Sequence, residues 1–210
     1  MTRKLKTIAV EFLHHLPYSS VGVGAGLGIL LGLEKMHWLG APLIQFHVTH
    51  PLHLFLSALV TSAMFWKYEN GVWKGVVIAL LGTIPVCTLS DIVFPFAGAR
   101  LFSTPLSFHL CLIEEPWLVL MATFCGIGAG FLLVRWMRHV TELAHMFHVL
   151  VSSLASLLYL RTFDVMLWES SLLSVFVITV AAVWIPCCLS DIVFPLAFTN
   201  ETRPHEPHFH

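Results

Sequence analysis

Apolar residues run along this chain in long blocks separated by short polar intervals, not in the strict alternation of a half-buried strand. A bilayer core of about 30 Å takes roughly 20 such residues in helical form. Six stretches meet that requirement, at approximately 12–33, 43–66, 75–97, 115–134, 143–160 and 171–197. They predict an all-α, polytopic membrane protein. Arg3, Lys4 and Lys6 precede the first block, but Glu11, His14 and His15 interrupt it and no small-x-small cleavage site follows. The first block is therefore expected to be a retained span and not a cleaved signal.

The blocks are not independent. Residues 89–95 read LSDIVFP, and residues 189–195 read LSDIVFP again. HPLHLFLSALVTSA from His50 aligns with HMFHVLVSSLASLL from His145, pairing His50 with His145, His53 with His148 and Ser57 with Ser152. GVGAGLG from Gly22 aligns with GIGAGFL from Gly126, and the same offset brings Glu11 opposite Glu115. Three segments correspond in the same order, so a three-span unit has been duplicated. Because three is odd, the second copy is expected to enter the membrane from the opposite side, giving an inverted 3+3 repeat. The units are residues 1–104 and 105–200, followed by a histidine-containing tail, 201–210, expected to be disordered. Many secondary transporters are built on such a plan. The layout resembles that of small manganese and cation exporters in architecture alone, with no shared motif that would assign residues.

Orientation follows from the cations. With the N-terminus inside, Arg3, Lys4, Lys6, Lys67, Lys74, Arg135, Arg138 and Arg203 face the cytoplasm, and only Lys35, Arg100 and Arg161 face out. Both termini are thus expected in the cytoplasm, the membrane being the plasma (inner) membrane.

Composition sharpens this picture. Of 210 residues, 57% are hydrophobic and 11% charged, against roughly 25% charged in soluble domains. Mean hydropathy is +0.83. Too little charge is present to clothe a soluble domain, and a net charge of −1 supplies no basic field for nucleic acid. The expected partners are the lipid bilayer, a metal ion and, because six helices leave little room to enclose a path, further copies of the chain. Against the scarcity of charge stand 13 histidines.

Ionisable groups inside a bilayer are costly and mark functional sites. His50 and His53 are three apart and share a helix face, as do His145 and His148. His47 extends the first set by a turn, and Glu142 takes the equivalent place in the second. Placed by depth, the residues sort into two clusters. The outer is His50, His53, Asp91, His47 and Glu115; the inner is His145, His148, Asp191, Glu142 and Glu11. Imidazole and carboxylate together suit Zn²⁺ or Fe²⁺, and also Mn²⁺, Co²⁺ or Ni²⁺. Cys87 and Cys187, one turn before each Asp, could add a soft ligand, with Ser90 and Ser190 orienting the carboxylates.

Plainer readings stand beside these. His14, His15 and His109 read as interhelical hydrogen-bonding groups, the cysteines as small apolar fillers and the glycine rows as close helix packing. The prolines flanking each Asp (Pro85 and Pro95, Pro186 and Pro195) suggest a helix break that packs or lines a cavity. The leading expectation is a transporter or channel for a divalent transition metal, with proton coupling through the imidazoles. A membrane-embedded metalloenzyme, either a hydrolase or a di-iron-type oxidase, is the alternative. A haem-binding electron carrier ranks last, because paired histidines on one helix cannot serve as opposed axial ligands.

Overall fold

The computed structural model describes residues 3–38, 40–101, 108–133, 141–163 and 171–198, with side chains left out at 3–12, 14, 15, 18, 141–146, 191, 192, 195 and 196. Every described element is helical: α1 Arg3–Lys35, α2 Pro42–Tyr68, α3 Val72–Thr88, α4 Phe94–Leu101, α5 Cys111–Glu114, α6 Pro116–Leu133, α7 Thr141–Phe163, α8 Leu172–Cys188 and α9 Phe194–Phe198. Between α3 and α4, and again between α8 and α9, the chain winds through a π turn, Leu89–Val93 and Leu189–Val193.

Three of these stretches are long and apolar enough to cross a membrane: Pro42–Tyr68, Val72–Leu101 and Pro116–Leu133. Phe147–Phe163 and Leu172–Cys188 are shorter apolar helices. These features suit a membrane protein. Exposed Trp38, Trp73 and Trp117 stand at helix ends, where indole rings favour the boundary between hydrocarbon and water. α6 turns Met121, Phe124 and Leu132 outward, as a face in lipid can without cost.

Glycine decides which helices lie against which. A Cβ at Gly126 would strike the Phe55 carbonyl, and one at Gly130 would strike Ser62 Oγ and the Leu59 carbonyl. These two glycines, four apart, let α6 approach the α2 backbone directly. Gly22 and Gly26 do the same for α1 against α7, where a Cβ would meet Val149 Cγ1 at 2.8 Å and Ser153 Cβ at 3.3 Å. Each first helix of the sequence repeat therefore packs on the second helix of the other copy. α2 and α7 also pack against each other, and the first π turn lies on α7 while the second lies on α2.

The LSDIV segments do not break the helix. In both copies the Phe after the motif (Phe94, Phe194) bonds back through its N–H to the carbonyl five residues earlier (Leu89, Leu189). An apolar surrounding cannot satisfy an opened backbone, so a widened turn that keeps its hydrogen bonds replaces the break suggested by the flanking prolines.

α1 ends in a left-handed residue. His37 has φ 56°, with its N–H on the Glu34 carbonyl and the Trp38 N–H on the Leu33 carbonyl. That pairing closes the free carbonyls of the last turn.

Candidate metal centre

α2 contributes two imidazoles one turn apart, and the first π turn supplies the carboxylate that holds them. Asp91 Oδ2 accepts from His50 Nδ1 at 2.8 Å and from His53 Nδ1 at 2.7 Å. Its other oxygen accepts from Ser152 Oγ of α7 at 3.2 Å. All four side chains are buried. With Nδ1 donating to Asp91, each ring in its neutral form carries its lone pair on Nε2.

His53 aims that Nε2 at His148 Nε2, 2.6 Å away across the α2–α7 contact. Two sulfurs flank the same atom, Cys87 Sγ at 3.6 Å and Cys187 Sγ at 3.8 Å. Cys87 lies two residues ahead of the first π turn and Cys187 two residues ahead of the second. Both are buried. The ligand-type atoms of His53, His148 and Cys187 all lie within 4.8 Å of one another.

These residues fit a tetrahedral metal. With Zn–N about 2.0–2.1 Å and Zn–S about 2.3 Å, a ligand nitrogen and sulfur stand about 3.6 Å apart and two nitrogens about 3.3 Å. Each sulfur already holds that spacing from His53, and the two rings would have to part by about 0.7 Å to admit an ion between them. With an ion bound, Asp91 behind His53 would complete a carboxylate–histidine–metal arrangement, in which the carboxylate fixes the ring and raises its basicity. His/Cys donors of this kind can hold a borderline or soft divalent ion; hard Mg²⁺ and Ca²⁺ prefer oxygen.

The polar surroundings come in pairs that follow the sequence repeat. Ser57 and Ser190 lie 2.8 Å apart, and their counterparts Ser152 and Ser90 lie 2.9 Å apart. Thr61 donates to the Ser190 carbonyl at 3.3 Å, and Ser156, its counterpart, donates to the Ser90 carbonyl at 3.1 Å. The Cys187 thiol donates to Ser152 Oγ at 3.5 Å, tying the sulfur to the group that holds Asp91.

This arrangement differs from the expected one in three respects. His53 and His148, assigned from sequence to clusters at opposite faces, meet in one. His53 lies about 16 Å along the roughly 40 Å of α2, near its middle, so a partner helix crossing there brings its own histidine within reach. Asp91 turns its oxygens to His50, His53 and Ser152, which makes it an orienting group for His53. Glu115 is exposed beside α6 and does not join Asp91. The side chains of Glu11, Glu142, His145 and Asp191 lie outside the described residues, although each position is helical.

His47 also leaves the Asp91 cluster. Its Nε2 lies 3.0 Å from His109 Nε2, and Cys111 Sγ lies 3.7 Å from that same His109 atom. His109 Nδ1 in turn bonds Glu114 at 2.9 Å. Burial, helped by the Asp91, Glu114 and Glu115 carboxylates, pushes the Cys111 thiol up to about 12. His109, Cys111 and Glu114 were not singled out as ligands in the sequence; the one signal was their spacing, His-x-Cys-x-x-Glu, just ahead of an apolar block.

Comparison with protein-family models, curated proteins and solved structures finds no match to this chain.

Proposed function

We propose that this chain is an integral-membrane transporter or channel for a divalent transition metal ion, its six spans arranged as an inverted 3+3 repeat with both termini in the cytoplasm. The observation that carries this reading is the convergence of His53 with His148 and Cys187, donors from both copies of the repeat, on one buried point, with Cys87 beside His53. The repeat-related serine pairs and the crossed packing of α1 on α7 and α6 on α2 support the inverted arrangement. A seat shared between two halves is where rocking of one half against the other would expose an ion to each side in turn. Two nitrogens and a thiolate sulfur suit Zn²⁺, and among the other candidates affinity falls in the order Ni²⁺, Co²⁺, Fe²⁺, Mn²⁺. Transport is preferred to hydrolysis because Asp91, the carboxylate nearest the seat among the described residues, accepts from three donors and is not placed to take a proton from water.

The test is flux. In liposomes loaded with a zinc-sensitive dye, the parent protein is expected to pass Zn²⁺, while His53→Ala and His148→Ala reduce the rate at least tenfold. A parent that binds Zn²⁺ with these residues yet passes none would overturn transport and leave a metal-binding membrane protein.

A further inference from the structure

We propose that His47, His109 and Cys111 form a second transition-metal station, nearer the surface than the buried seat, with Glu114 orienting His109. This rests on the reading of the chain as a metal-handling protein and adds a site to it.

The geometry repeats that of the buried seat in its essentials. His109 Nδ1 is engaged by Glu114 at 2.9 Å, so the ring presents its Nε2 lone pair on the far side. Toward that atom point His47 Nε2 at 3.0 Å and Cys111 Sγ at 3.7 Å. Tetrahedral zinc asks for about 3.3 Å between nitrogens and about 3.6 Å between nitrogen and sulfur, so both contacts of His109 lie within a few tenths of an ångström of the ligand spacing. The three donor atoms lie within 4.8 Å of one another. A histidine held only for packing needs one polar partner. Here a carboxylate stands behind the ring while a nitrogen and a sulfur from different elements converge in front of it.

The surroundings hold the rings and leave an approach. Phe163 stacks on His109 at 5.3 Å between centroids, and the Tyr159 hydroxyl accepts from the His109 backbone N–H at 3.4 Å. Cys111 is buried, His47 and His109 are partly exposed, and the Glu114 side chain is about half exposed. Three protein ligands leave a fourth position for water or an incoming group, as an ion in passage requires.

The station also lies in line with the seat. His47, His50 and His53 follow one another at three-residue steps along α2, rising about 9 Å from first to last and turning about 60° around the helix axis at each step. An ion held by His47 at one end is offered His50 and then His53 without leaving that helix.

Cobalt titration of the purified protein in detergent decides the matter, read by bound Co²⁺ per chain and by the visible and thiolate charge-transfer bands. The parent is expected to bind two equivalents, and His109→Ala and the milder His47→Gln one each. Cys111→Ser is expected to weaken one site at least tenfold and remove its share of the thiolate band. If the parent binds two and the His109 and His47 variants still bind two, the station is overturned while the buried seat stands. A parent with one equivalent, abolished by His53→Ala, has the same meaning. One equivalent that survives His53→Ala but not His109→Ala supports the station and overturns the buried seat. A parent that binds none overturns both.

Discussion

Asp91 shows how one side chain can govern a site it does not enter. Its carboxylate holds His50 and His53 by Nδ1 and Ser152 by the other oxygen, so its effect on a bound ion would pass through the ring of His53. Asp91→Asn keeps an acceptor of similar shape but loses charge and one acceptor. It is expected to weaken Zn²⁺ binding about 10–100-fold, the usual range for such a supporting group, whereas His53→Ala removes a ligand and abolishes binding at the seat. A chelator-competition titration separates the two outcomes, and an Asn variant binding like the parent would deny Asp91 this role. Asp91→Ala leaves three buried donors facing an empty space, which costs about 3–5 kcal/mol. The importance of this residue was legible in the sequence, because a charge in an apolar block, repeated in a second block, is too costly to persist without a role. Its role was not: helical spacing gives the face of a residue but not which oxygen meets which nitrogen.

The elements are held at their crossings by the absence of side chains. Gly126 and Gly130 face the α2 backbone closely enough that any Cβ collides, whereas Gly128, on the same helix, has open space around it. Gly130→Ala is therefore expected to destabilise the protein by about 1–3 kcal/mol, the cost of overpacking, and Gly128→Ala to be tolerated. Thermal unfolding in detergent measures both, and equal effects would mean that α6 does not approach α2 at Gly130. The glycine rows carried this packing visibly in the sequence. The π turns did not show themselves in the same way. LSDIVFP between prolines looks like a place where a helix stops, and only the need to bond every N–H in an apolar surrounding makes the chain widen its turn and continue.

For the molecule as a whole, the sequence displayed the helical class and the duplication, and the cations gave an orientation that the chain itself can be asked about. With Cys125, the exposed cysteine among the described residues, replaced by serine, Met36→Cys lies in the connection after α1 and Asn70→Cys in the connection after α2. In intact cells an impermeant maleimide is expected to label Met36→Cys and to reach Asn70→Cys only after lysis. The reverse pattern would invert the orientation, and labelling of both would remove the span between them. Less legible was how the two sets of histidines would combine. Depth along a helix places a residue to within a few ångströms of a level, and that is too coarse to say whether His53 and His148 face each other or lie apart. The answer depends on where α2 crosses α7, which the spacing of residues within either helix does not give.

The contact between His53 and His148 also bears on ancestry. These two residues occupy the same place in the two copies of the repeat, and their Nε2 atoms touch. A position that meets its own counterpart needs no divergence between the copies to work: one gene encoding a single copy, and two products of it paired, would already set a histidine against its twin, with a cysteine on either side. Fusion of two such genes would then join halves that already met at this contact. Elsewhere the two copies differ, as at His47, whose counterpart is Glu142.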